Sequence, residues 1–266
     1  MRNSKRFWGV FVVAALGMLF FAACSSEKNA VNNQPAAAPA AQENQAPAAQ
    51  ETNKADAAKA DAAKADAAPA EAETKPAERN EADFARLLNP ADFKETAPDN
   101  FVVLVKTTKG DLKIELHRDW SPNGVDRFYN LVKGGFFSDI AFFRMVRGFV
   151  VQFGIHGSPL VSEAWRDANI SDDPVKETNA RGTLVFATAG PNTRTTQLFI
   201  NLNDNRNLDR MGFSPIGKVV EGMDIIDSLN YEYAERPNQG AIQRDGNTYL
   251  KAQFPNLDYI ESMTVE

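Results

Sequence analysis

The stretch FFRMVRGFVVQFG, residues 142–154, sets a charged guanidinium among some of the most apolar residues of the chain. Phe142, Phe143, Met145, Val146, Phe149, Val150 and Val151 read as core strand, and Arg147-Gly148 as a break in it. An unpaired buried charge is expensive, so Arg144 needs either a carboxylate partner or one from outside the chain. Working outward, FVVLVKTTKGDLKIEL reads as two strands, 101–107 and 111–117, around a Lys109-Gly110 turn. Ser121-Pro122 reads as N-cap and first helical residue, with Val125, Phe128, Tyr129 and Val132 at helical spacing and Gly134-Gly135 as the stop. GTLVFATAG (182–190) and QLFINL (197–202) follow, and IGKVVEGMDIIDSLN (216–230) reads as a strand and then a helix. The tail from Tyr249 to Val265 supplies at least one more strand. Many short strands with only two good helices point to an antiparallel barrel or sandwich.

Charge and composition narrow the function. The net charge of −6 comes with no basic block, which argues against nucleic acid as a partner. Cys24 is the only cysteine, so no intramolecular disulfide forms. The two histidines, His117 and His156, lack ligand spacing and read as surface or loop residues. Asp172-Asp173 reads as a solvated loop, since no calcium-loop spacing follows.

The N-terminus has another character. Arg2, Lys5 and Arg6 precede an apolar run from Phe7 to Phe21, the pattern of a signal peptide over residues 1–23. The F-A-A-C segment ending at Cys24 resembles the lipobox of bacterial lipoproteins. That resemblance implies lipidation of Cys24, cleavage before it, and a periplasm-facing protein held on a membrane. Ser25 after the cysteine favours the outer membrane. Residues 24–97, rich in Ala, Pro, Lys and Glu, bury too little apolar surface to fold alone and read as a disordered tether. KADAA repeats three times at 54–68, which is marginal for an isolated helix. A short helix near 81–88, with Phe84, Leu87 and Leu88, is expected to dock on the domain that follows at 98–266.

Three segments of that domain, FFRMVRGFVVQFG, GTLVFATAGPNTRTTQLFINL and FSPIGKVVEGMDIID, resemble the cyclophilin-type peptidyl-prolyl isomerases over roughly residues 100–266. The resemblance implies an all-β fold: a closed eight-stranded antiparallel barrel capped by two helices, which 122–133 and 221–230 fit. It implies catalytic roles for Arg144, Phe149 and Gln152. Phe149 forms the floor of a proline pocket and Gln152 holds the substrate backbone. Val150, Ala187, Thr188, Gln197, Phe199, Leu208 and Phe213 are implied as substrate-binding. No cofactor and no metal ligand is implied. The sequence departs from the family at Thr188 (usually Asn), at Arg147 (usually Pro), at Asn207 (Trp in many eukaryotic members) and near Phe213 (His). Loss of that Trp implies weak cyclosporin binding. Segment 165–179 has no counterpart in the compact eukaryotic pattern.

The implied reaction is rotation about X–Pro bonds in unfolded or partly folded envelope proteins. The barrier is about 18–20 kcal/mol and comes from amide conjugation. A fixed guanidinium that interacts better with the twisted amide than with either planar form lowers it without covalent chemistry. Two other readings stand beside this one: a cyclophilin-fold chaperone or proline-peptide binding module with little turnover, and a structural envelope lipoprotein.

Overall fold

The computed structural model describes residues 81–266. The signal peptide, Cys24, the KADAA repeats and the tether up to residue 80 lie outside the described residues. The first element is a 3-10 helix, Glu81–Leu88. Leu87 is buried beneath it, and its carbonyl accepts the Trp165 indole N–H at 2.8 Å. Further on, the Ala97 amide donates to Asp126 Oδ1 at 2.9 Å, and Asn130 exchanges two hydrogen bonds with the Glu95 backbone. Leu87 and Ala97 are core residues, so this stretch belongs to the folded body that begins before residue 98.

Among the described residues, nine strands form one antiparallel sheet. They are β1 (Asn100–Thr107), β2 (Gly110–His117), β3 (Ile140–Ala141), β4 (Arg144–Val146), β5 (Val150–Phe153), β6 (Thr183–Phe186), β7 (Leu198–Asn201), β8 (Pro215–Glu221) and β9 (Tyr259–Val265). Their order is β3-β9-β1-β2-β8-β6-β7-β5-β4. Laid flat, nine strands would span about 38 Å at the usual spacing of about 4.8 Å. Yet the two edge strands, β3 and β4, are joined by Phe142-Phe143 alone, so Ala141 and Arg144 are at most about 11 Å apart. Chain continuity therefore forces the sheet to curl. The ninth strand, against the eight expected, arises at this seam. There the Phe142 amide donates to Asp258 O and the Met145 amide to Ala234 O. The segment 140–146 thus leaves one edge of the sheet and joins the other.

Five α-helices accompany the sheet among the described residues: α1 (Pro122–Gly134), α2 (Pro159–Trp165), α3 (Asn207–Arg210), α4 (Met223–Asp227) and α5 (Gln239–Gln253). The expected cap at 221–230 is only the five-residue α4. The long second helix is α5, where the sequence predicts no helix, and its end, from Tyr249 to Gln253, falls in the tail expected to supply strand. Its two glycines and its kink at Gly246 (φ 58°, ψ −146°) break up the helical spacing of its apolar residues.

The acidic pair at 172–173 is structural rather than merely solvated. Asp173 is buried and accepts hydrogen bonds from Ser121 Oγ (2.7 Å), the Asn123 and Gly124 amides (3.1 and 3.0 Å) and Arg194 Nη2 (2.9 Å). It thus caps α1 from 50 residues away, and Ser121, the expected cap, donates to it instead. The 165–179 segment is held to the body by this contact. His156 is also buried, accepting the Ser158 amide on Nδ1 and meeting Phe84 and Phe136 edge-on.

Burial pushes the Asp173 carboxyl up, but the bonds from Ser121, Arg194 and the two amides outweigh it, and the group titrates below its ordinary value. Its stabilisation is therefore complete above the ordinary carboxyl range and is lost as pH falls through the lowered value. Asp173→Ala should destabilise the protein by about 3 kcal/mol at pH 7, since Arg194 is left buried without this partner. In urea unfolding the gap between wild type and variant should narrow towards about pH 2. An equal gap at both pH values would contradict this role.

Candidate functional site

Register builds the site. Arg144 on β4 stands opposite Gln152 on β5, Gln152 opposite Phe199 on β7, and Phe199 opposite Val185 on β6. These four residues make one row across four strands. Alternate residues point to opposite faces, so Val151, Phe153, Leu184, Phe186, Leu198 and Ile200 enter the main core from these strands. Val150, Val185, Phe199 and Leu208 form a second, smaller apolar cluster, with Phe149, Ala187 and Phe213 packed against it. Both faces of these strands are covered, which is why FFRMVRGFVVQFG is so apolar on either side of its Arg147-Gly148 break. Arg144 lies on the cleft face of β4 and is partly exposed, with 27% of its side chain accessible.

The cleft over this second cluster has a volume of about 440 Å³. All ten residues named from the sequence line it. Arg144, Phe149, Val150 and Gln152 come from β4, β5 and the turn between them; Ala187 and Thr188 follow β6. Gln197 and Phe199 lie at and within β7, Leu208 is on α3, and Phe213 follows α3. Phe213 meets Phe199 edge-to-face, with ring centroids 5.7 Å apart. The Thr188 hydroxyl turns back into its own loop, bonding Gly190 O and, at 2.8 Å, Thr193 Oγ1. The Ala187 amide is used internally, donating to Gln197 O. Asn207 is exposed at the start of α3.

Polar contacts link the row. Arg144 Nε donates to Glu235 Oε1 at 2.7 Å, and Nη2 lies 2.5 Å from the same oxygen. Nη1 donates to Gln152 Oε1 at 3.3 Å, and Gln152 Nε2 donates to Gln197 Oε1 at 3.0 Å. The guanidinium carbon also lies 5.9 Å from the Phe149 ring centroid. Of the two partners left open by the sequence, the resting protein thus supplies the carboxylate. It comes from 91 residues away in the segment AERPN, which no local pattern marks.

The turn that carries Phe149 closes with its amide donating to Val146 O at 3.0 Å. Gly148 at φ 70° occupies the position where such a turn needs glycine; the preceding position favours proline without requiring it, and here holds Arg147. Beneath the turn lies a network that the sequence reading did not find. Asn205 Nδ2 donates to Phe149 O (3.0 Å) and Asn201 Oδ1 (2.7 Å), and Asn201 Nδ2 donates to Asn179 Oδ1 (3.1 Å). Asn179 Nδ2 in turn donates to Phe213 O and to Asp209 Oδ1. Burial pushes the Asp209 carboxyl up, but the bonds from Thr178 and Asn179 outweigh it and the group titrates low. Three scattered asparagines carry no sequence signature. Together they tie the floor of the cleft to the segment that bears Leu208 and Phe213. Met211, Thr193, Thr195 and Gln239 also line the cleft without having been singled out.

The family model described as cyclophilin type peptidyl-prolyl cis-trans isomerase/CLD matches residues 102–245. The peptidyl-prolyl cis-trans isomerase of Acinetobacter baylyi is 32% identical over 135 residues, covering 49% of this chain and 72% of that one. Peptidyl-prolyl cis-trans isomerase A of Dickeya dadantii is 33% identical over 148 residues, covering 53% and 76%. Peptidyl-prolyl cis-trans isomerase B of Escherichia coli is 31% identical over 138 residues, covering 48% and 83%. The chain belongs to the cyclophilin-type peptidyl-prolyl cis-trans isomerase family and is an enzyme of that class.

Proposed function

We propose that the enzyme acts on X–Pro bonds of unfolded or partly folded proteins in the cell envelope, with Arg144 as its catalytic group. The observation that carries this is the Arg144–Gln152–Phe199 row: a guanidinium held beside an apolar floor of a size to take a proline ring. In a planar X–Pro amide the nitrogen lone pair is delocalised into the carbonyl. Rotation localises it, and the nitrogen becomes pyramidal. A guanidinium N–H directed at that nitrogen, or at the turning carbonyl, gains more from the twisted state than from either planar one. Arginine suits the task because it stays charged throughout the working pH range and its donors are rigid. Phe149, Val150, Phe199, Leu208 and Phe213 grip the ring. Gln152, Gln197 and the backbone at Ala187 and Thr188 hold the flanking peptide. Only a partial π bond is broken and remade, so the reaction itself calls for no cofactor. The curled sheet is proposed to act as a closed barrel, with 140–146 as its seam, which keeps the row rigid.

For the remainder of the chain, the reading is a lipid-anchored, periplasm-facing enzyme. Its support is the single cysteine, Cys24, at the end of the Phe7–Phe21 apolar run, followed by Ser25 as in outer-membrane lipoproteins. A coil of roughly 70 residues reaches about 45–50 Å root-mean-square, enough to let the domain search near the membrane surface. Asn207 in place of the tryptophan of many eukaryotic relatives supports weak cyclosporin binding.

Arg144→Ala should lower kcat/KM on a short X–Pro peptide by about 10²-fold in a protease-coupled assay, the scale of removing one preorganised donor. Its far-UV spectrum and Tm should stay close to wild type. Full activity in this variant would remove Arg144 from the mechanism. Intact mass of membrane-extracted protein should show a diacylglyceryl-modified chain beginning at Cys24. A Cys24→Ser variant that is still lipidated and cut at the same site would contradict the anchor.

A further inference from the structure

The Arg144 guanidinium is held from outside the sheet as well as from within it. Glu235 lies between α4 and α5, in a segment fastened to the edge strand β4 at points that do not involve its carboxylate. The Ala234 carbonyl accepts the Met145 amide at 3.0 Å. Arg147 lies 4.4 Å from the centroid of the Tyr231 ring, a cation–π contact, and the Tyr231 hydroxyl donates to Ile226 O at 3.0 Å. At the start of the segment the Asn230 amide donates to Asp258 Oδ2 at 2.7 Å. Ala234 itself sits at φ 48°, a conformation that a residue with a side chain rarely takes. The segment is therefore built to stay in place whether or not Glu235 pairs.

The ion pair adds little stability, because 59% of the Glu235 side chain is exposed and such pairs are weak. Its effect is on direction. A guanidinium presents five N–H groups. Nε gives one to Glu235, with Nη2 lying against the same oxygen, and Nη1 gives one to Gln152. The plane that carries the remaining N–H groups is fixed by contacts on two sides. An arginine on a partly exposed strand would otherwise sample many rotamers, and each productive encounter would carry that ordering cost.

We propose that Glu235 is the positioning residue for Arg144, and that the stacking of Arg147 on Tyr231 holds the segment that presents it. This rests on the reading of Arg144 as the catalytic group. It also gives residue 147 a purpose: arginine there adds a clip onto the Glu235 segment that proline cannot make.

The test compares Glu235→Ala, Glu235→Gln, Arg144→Ala and the Arg144→Ala/Glu235→Ala double variant in the full chain, measuring kcat, KM and Tm. Glu235→Ala should lower kcat about 10-fold with KM within about 2-fold, as expected when only transition-state stabilisation is lost. Its Tm should stay within about 2 °C of wild type. Glu235→Gln keeps the Oε1 acceptor and should recover most of the loss. The double variant should be no slower than Arg144→Ala alone. Wild-type kcat in Glu235→Ala, a loss in that variant that tracks a fall in Tm, or a double variant slowed by the full product of the single effects would each overturn the proposal. Full activity in Arg144→Ala would instead remove the reading on which it rests. An inactive Arg144→Ala beside an unaffected Glu235→Ala would remove the positioning role alone.

Discussion

Antiparallel register is the constraint on which the cleft depends. Arg144, Gln152, Phe199 and Val185 are direct cross-strand neighbours, so their side chains emerge on one face of four adjoining strands. A slip of one residue in β5 would send Val151 and Phe153 into the cleft and Val150 and Gln152 into the core. The main core resists that slip. Phe153 meets Phe137 and Phe142 edge-on, and burying a side chain of this size contributes about 2–3 kcal/mol. The Arg144–Gln152–Phe199–Val185 row is thus held in place by the residues on the other side of the same strands.

Polar contacts finish what the register begins. The Asn179, Asn201 and Asn205 amides bond one another beneath the cleft and reach the Phe149 and Phe213 carbonyls. Such a buried network is stabilising only when its members find partners, and it then fixes one arrangement of the turn and loop that it joins. Asp173 does the same for α1 and the 165–179 segment. Glu235 and Gln152 hold the guanidinium on two sides at the open end of the system.

Much of the cleft was legible in the sequence because its residues sit in short contiguous segments, and it is these segments that carry the resemblance to the cyclophilin family. FFRMVRGFVVQFG carries four of the ten lining residues named from the sequence, and each falls where alternation and the Gly148 turn put it. What escaped notice has a common physical character. Glu235 reaches Arg144 across 91 residues, and Asp173 reaches the start of α1 across 50. Neither belongs to a periodic pattern, since a single polar contact between distant loops leaves no trace in local composition. The helix α5 was hidden for a different reason: Gly240 and Gly246 lower its local helical preference, and the packing of Ile242 and Leu250 into the core overrides it. The seam at Phe142-Phe143 reads as uninterrupted strand because both of its halves are strand, on opposite edges of one sheet.

The central claim is that Arg144 acts on the twisted amide and hardly at all on the bound ground states. The most direct measurement is the rate of cis–trans exchange of an X–Pro peptide on the enzyme, followed by NMR at saturation, together with the peptide Kd. Replacing Arg144 by alanine should slow on-enzyme exchange by about 10²-fold while Kd changes by no more than a few-fold. Exchange that persists at the wild-type rate, or a Kd that rises in step with the lost exchange, would contradict the account.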